Sequence, residues 1–141
     1  MADWRLFALG SAFFAGVTAI LAKIGVQAIP SNLATGIRTV VILGFLALVI
    51  SWRREWGHVS HLNARSVIFL ILSGLTTGLS WLCYYRALQS GPASLVAPLD
   101  KLSLVIAVLL AVAVLGERLT SMQWFGTTLM TVGACLLALT K

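Results

Sequence analysis

The sequence predicts an all-α, polytopic membrane protein: a bundle of five transmembrane helices, N-terminus inside and C-terminus outside. Three observations predict it. The chain is 60% hydrophobic and only 10% charged, where a water-soluble domain carries about 25% charged residues. Five stretches approach the roughly 20 apolar residues that a bilayer-crossing helix needs. The lysines and arginines outside those stretches gather on alternate connections, which sets orientation.

The spans fall at about 4–27, 33–52, 67–89, 93–115 and 121–140, and residues 1–141 read as one transmembrane domain. The apolar run from Leu6 to Ala22 is longer than the core of a signal peptide and reads as a retained first span. Pro30-Ser31-Asn32 is a tight turn in which Ser31 or Asn32 can cap the second helix. Residues 53–66, RREWGHVSHLNARS, form the one sizeable loop. Ser90-Gly91-Pro92 pairs a helix-ending glycine with a proline that can open the next helix. Gly116 ends the fourth span, and Thr120 with Gln123 has capping-box spacing for the fifth.

With the N-terminus inside, the inner segments hold Arg5, Arg53, Arg54, Arg65 and Arg118, and the outer side holds Lys141. Trp4, Trp52, Trp56 and Trp124 then form an aromatic belt at the inner interface. The net charge of +6 does not indicate nucleic acid, because the basic residues are scattered and build no patch. Cys83 and Cys135 sit in apolar runs and read as buried thiols rather than a disulfide.

Charges inside the spans carry the functional reading, since a charge at membrane depth is expensive and marks function by default. Lys23, Arg38, Arg86, Asp100 and Lys101 all fall in the outer half of the membrane. Lys23, Arg38 and Arg86 lie near span ends, where snorkelling to the headgroups is the plain alternative. Asp100 is too short to snorkel, so it faces a polar cavity or an ion-pair partner. Pro98 lacks an N–H for the Ser94 carbonyl and bends the fourth helix there. Neighbours on a helix point about 100° apart, so Asp100 and Lys101 are expected to face different ways. Gly74, Gly78, Trp81 and Tyr85 share one face of the third span. The glycines read as a packing seam, like Gly16, Gly126 and Gly133 elsewhere. Trp81 and Tyr85 carry that face toward the charged layer, with an interfacial belt as the alternative for Tyr85.

No phosphate-binding loop and no nucleophile-base set is present, and the only histidines are His58 and His61 of the loop. No enzyme, cofactor or metal site is expected.

At these residues the chain resembles a single five-helix unit of the drug/metabolite transporter superfamily, the EamA-like type. The resemblance rests on Lys23, Arg38, the run GPASLVAPLDKLSLVIAVLL at 91–110, the GERLT turn at 116–120 and the glycine-bearing fifth span. It implies a secondary transporter of the inner (cytoplasmic) membrane that moves a small metabolite or drug-like solute by alternating access. Members usually join two such units, the second inverted. The resemblance therefore implies half of a ten-helix inverted-repeat transporter, completed as a homodimer or by a second five-helix unit. It also implies a pocket between helices 1–4. Lys23, Arg38, Trp81, Tyr85, Pro98, Asp100 and Lys101 are the expected substrate-binding residues. Two rival readings stand beside it: a lipid-handling, flippase-like subunit, and a non-transporting membrane assembly subunit.

Overall fold

A computed structural model describes residues 3–139 of the chain, except the side chains of Ser60 and His61. Lys141, the expected outer cation, lies outside the described residues. The helices are α1 (Trp4–Gly25), α2 (Ser31–Arg53), a 3-10 helix (Glu55–His61), α3 (Ala64–Ser90), α4 (Ala93–Asp100), α5 (Leu102–Leu115) and α6 (Ser121–Leu139). No strand occurs among the described residues. With Ala93–Leu115 taken together, five helical stretches are long and apolar enough to cross a membrane. Large apolar side chains point outward along all of them, among them Phe7, Phe14, Val40, Leu48, Leu70 and Val114. The residues buried within the chain are mostly small or hydroxylic: Ala19, Ala22, Ala34, Ala134, Ser31 and Thr35. This inverts the arrangement of a water-soluble domain and fits helices whose outer solvent is lipid and whose contacts use small residues. Cys83 and Cys135 are free thiols but exposed on the chain surface, not buried, because the apolar runs that hold them face outward.

The chain divides into two compact units, residues 22–90 and residues 1–21 with 91–141. In the first, α2 packs on α3. Its buried residues cluster at one end: Ala22 and Val26 from the close of α1, Ser31, Ala34 and Thr35 from the start of α2, Tyr85 and Leu88 from the last turns of α3. The cap of α2 is Pro30 rather than Ser31 or Asn32. Its extended backbone (φ −56°, ψ 138°) presents a carbonyl to the Ala34 N–H at 3.0 Å, so no side-chain cap is needed. Ser31 is already helical, and its carbonyl accepts the Thr35 hydroxyl at 2.9 Å.

At the other end, Arg54 terminates α2 in the left-handed region (φ 56°), a position seldom taken by a residue with a Cβ. The α3 helix begins at Ala64, earlier than the apolar run suggests, because Asn63 caps it. The Asn63 Oδ1 accepts the Arg65 N–H at 2.9 Å and its carbonyl accepts the Val67 N–H at 3.1 Å.

In the second unit, α4 and α5 each pack on α6. Pro92 is the cap of α4 rather than its first residue, its carbonyl accepting from Leu95 and Val96. The fourth span is interrupted at Lys101, three residues beyond Pro98. There the Lys101 N–H reaches only to the Pro98 carbonyl (3.0 Å), and the Leu104 N–H only to Lys101 (3.0 Å). These tight three-residue turns follow where proline has removed a donor. Gly116, at φ 70°, closes α5 in the left-handed region, and the Glu117 N–H lies on the Ala111 carbonyl at 3.2 Å. The expected capping box forms: Gln123 Oε1 accepts the Thr120 N–H at 2.7 Å, and Thr120 Oγ1 accepts the Gln123 N–H at 3.4 Å. The glycine seams are not met within the chain. A Cβ at Gly16, Gly74, Gly78, Gly126 or Gly133 would have open space around it, because no neighbouring helix of the chain comes that close.

Candidate functional site

Arg38 sits two turns into α2, facing the last turns of α3. Trp81 and Tyr85 lie one turn apart there and share a face. The Arg38 guanidinium carbon stands 4.3 Å from the Trp81 ring centroid and 5.9 Å from that of Tyr85. Its Nη1 donates to the Tyr85 hydroxyl at 3.3 Å. Tyr85 is buried and meets Tyr84 edge-on, ring centroids 6.4 Å apart, so the cradle wall is fixed. The aromatic faces attract the cation by about 0.5–2 kcal/mol but accept none of its hydrogen bonds in the way a carboxylate does. A guanidinium has five N–H donors, and among the described residues no carboxylate pairs with Arg38. It is therefore oriented, half-buried and able to take an anion.

Lys23 approaches the same helix one turn further on. Its Nζ donates to the Leu88 carbonyl, tying the end of α1 to the end of α3. Sequence reasoning missed the reciprocal bond. Gln89 Nε2 donates to the Val26 carbonyl at 3.1 Å and the Ile29 carbonyl at 2.9 Å. Lys23 of α1 thus supplies a donor to a carbonyl in the last turn of α3, and Gln89 of α3 to two carbonyls just past the end of α1, where the negative ends of two macrodipoles would otherwise meet uncompensated. The available signal was an amide side chain just before Ser90-Gly91-Pro92, at the end of a span. Arg86 is exposed beside Ser31 and Asn32 in an open cleft of about 480 Å³.

Lys23, Arg38, Trp81 and Tyr85 are thus gathered on the last turns of α3. Pro98, Asp100 and Lys101 belong to the other compact unit, where they make an arrangement of their own. Asp100 and Lys101 do not diverge as neighbours on an unbroken helix would. Lys101 Nζ lies 3.5 Å from Asp100 Oδ2, with side chains 50% and 34% exposed. The interruption at Lys101 (ψ −8°) and the length of the lysine side chain permit this local pairing.

In the loop, His58 Nδ1 lies 3.3 Å from the Glu55 carbonyl oxygen, while the side chain of His61 lies outside the described residues. Among the described residues no three histidine, cysteine or acidic side chains gather as metal ligands do.

The profile of the EamA-like transporter family matches residues 3–139. A Sinorhizobium sp. protein, named as an uncharacterized transporter in the cobO 3' region, is 49% identical over 136 residues, 96% of each chain. An uncharacterized protein of Methanocaldococcus jannaschii is 28% identical over 130 residues, 92% of each chain. No solved structure matches the chain.

Proposed function

The chain belongs to the EamA-like transporter family, and we propose that it carries a small solute bearing a carboxylate or other anionic group by alternating access. The membership and the five spans make it a multi-pass membrane protein among transporters. The inner membrane, the N-in orientation and assembly with a second five-helix unit, identical or not, are parts of the same proposal.

The observation that supports an anionic solute is the Arg38 cradle: a cation fixed between Trp81 and Tyr85 with no carboxylate of the chain against it. An arginine within a span costs about 2.5–3.5 kcal/mol on the insertion scale. An incoming anion offsets that cost with two parallel charge-assisted bonds. Lys23 and Tyr85 position the cradle. Pro98, Asp100 and Lys101 serve from the fourth span, where Asp100 exchanges Lys101 for a proton or a cation during the cycle.

The test is solute binding and uptake in proteoliposomes, comparing carboxylates with their neutral amides. Trp81 reports binding by its fluorescence, and Trp81→Phe removes that signal. The expected result is binding of carboxylates alone, lost in Arg38→Gln. Equal binding of acid and amide, or an unaffected Arg38→Gln protein, overturns the proposal. Proton coupling is tested separately with Asp100→Asn, which should bind solute normally yet ignore a pH gradient.

A further inference from the structure

We infer that the connection between α2 and α3 is a second membrane-contacting element, a short 3-10 helix lying in the bilayer interface with one apolar stripe inserted. This stands on the five spans alone and is independent of what the protein carries.

Seven consecutive residues, Glu55–His61, are in 3-10 conformation, where runs beyond three or four residues are uncommon. The conformation matters because it has three residues per turn, so positions i and i+3 eclipse. Trp56 and Val59 stand on one line, and Leu62, the residue that closes the helix, follows at the same interval. These are the large apolar residues of the segment, and each is more than half exposed: 55%, 56% and 58%. Gly57 and His58 fall on the other lines. An α-helical period would not hold positions 56, 59 and 62 on one line.

Three features identify the bilayer as the occupant of that stripe. The segment runs directly from the last residue of one spanning helix, Arg53, to the first of the next, Ala64, so it stays at the membrane surface. Its apolar line is continuous with the lipid-facing surface of α2: Ile50 joins Trp56, Val59 and Leu62 around an open hollow of about 420 Å³, with Glu55 and His58 also on its wall, and an acyl chain fills it. The flanking charges are Arg53, Arg54 and Arg65 against Glu55 alone, which suits anionic headgroups. The tryptophan is held for this role, its Nε1 donating to the Ser51 hydroxyl at 2.9 Å, so that the indole has a polar end as well as an apolar face.

The test uses nitroxide labels on single cysteines at 56, 57, 58, 59 and 62. The background carries Cys83→Ser and Cys135→Ser, both exposed thiols. The protein is reconstituted in phosphatidylcholine vesicles with and without phosphatidylglycerol. Collision with oxygen reports lipid, and collision with a water-soluble nickel chelate reports water. The expected oxygen-to-nickel ratio is severalfold higher at 56, 59 and 62 than at 57, with 58, which borders the hollow, in between, and it rises with phosphatidylglycerol. High nickel access at all five positions overturns the inference. So does low access to both reagents at the stripe, which would mean that protein covers it. If Trp56→Cys disturbs folding, positions 59 and 62 against 57 decide the question.

Discussion

The cations of α1 and α2 and the cation of the fourth span have been accommodated in opposite ways. Lys23 and Arg38 reach partners 65 and 47 residues away in sequence, the Leu88 carbonyl and the Tyr85 hydroxyl. Lys101 pairs with the residue beside it. The first arrangement joins helices and leaves Arg38 facing aromatic rings without a carboxylate. The second neutralises a charge pair at the break between α4 and α5 and binds no other span. A cation within a span is thus not one kind of object: what it can do depends on whether its partner is local.

The sharpest way to break that contrast is Arg38. Replacing it with alanine removes the charge for which the cradle is built. The expected loss of apparent solute affinity is about 2–5 kcal/mol, roughly thirtyfold or more, measured by solute titration in detergent or vesicles. Arg38→Lys should recover only part of it, since an ammonium neither stacks on Trp81 nor forks to a carboxylate. Full recovery by lysine would mean that charge alone matters and the cradle does not.

Gln89→Leu addresses the joining role. Two carbonyls just past the end of α1, those of Val26 and Ile29, lose their donor. The expected destabilisation is about 2–4 kcal/mol, read from thermal unfolding in micelles. Hydrogen exchange should quicken at residues 22–35 and 85–90 and remain unchanged at 102–115. Uniform exchange changes along the chain would erase the distinction between the two regions.

The smallest effect belongs to the local pair. A double-mutant cycle with Asp100→Asn and Lys101→Met should give a coupling of about 0.2–1 kcal/mol, as for half-exposed neighbours. A coupling of several kcal/mol would show that the Asp100–Lys101 pair is structural after all, and would remove the freedom that the transport proposal gives Asp100.

Much of this was legible in the sequence. The spans follow from runs of apolar residues, and the Gly116 cap and the Thr120–Gln123 box follow from residues within a turn or two of each other. Misreadings came where a competing local signal won. Asn63 started α3 before its apolar run began, and Pro30 capped α2 in place of Ser31. The glycine faces show the limit of pattern reading, since spacing at Gly74 and Gly78 announces a surface but not what meets it. Of the candidate site, Arg38, Trp81 and Tyr85 were found as polar or aromatic residues at one depth. Gln89 was passed over because an amide at a helix end looks like any interfacial residue until its acceptors are known.

By itself the sequence determined five apolar helices, the Gly116 close of the fourth span and the Thr120–Gln123 box, because each depends on composition or on residues adjacent along the backbone; that Asp100 would pair with Lys101 rather than diverge from it was not among them. Only the tertiary structure decided that Lys23 and Gln89 would exchange bonds with opposite helix ends, and that Arg38 would lie over Trp81. Those partners stand 43 to 65 residues apart. They meet only because small residues such as Ala22, Ala34 and Thr35 let the helix ends close together, and a linear pattern records neither that approach nor which donors it satisfies.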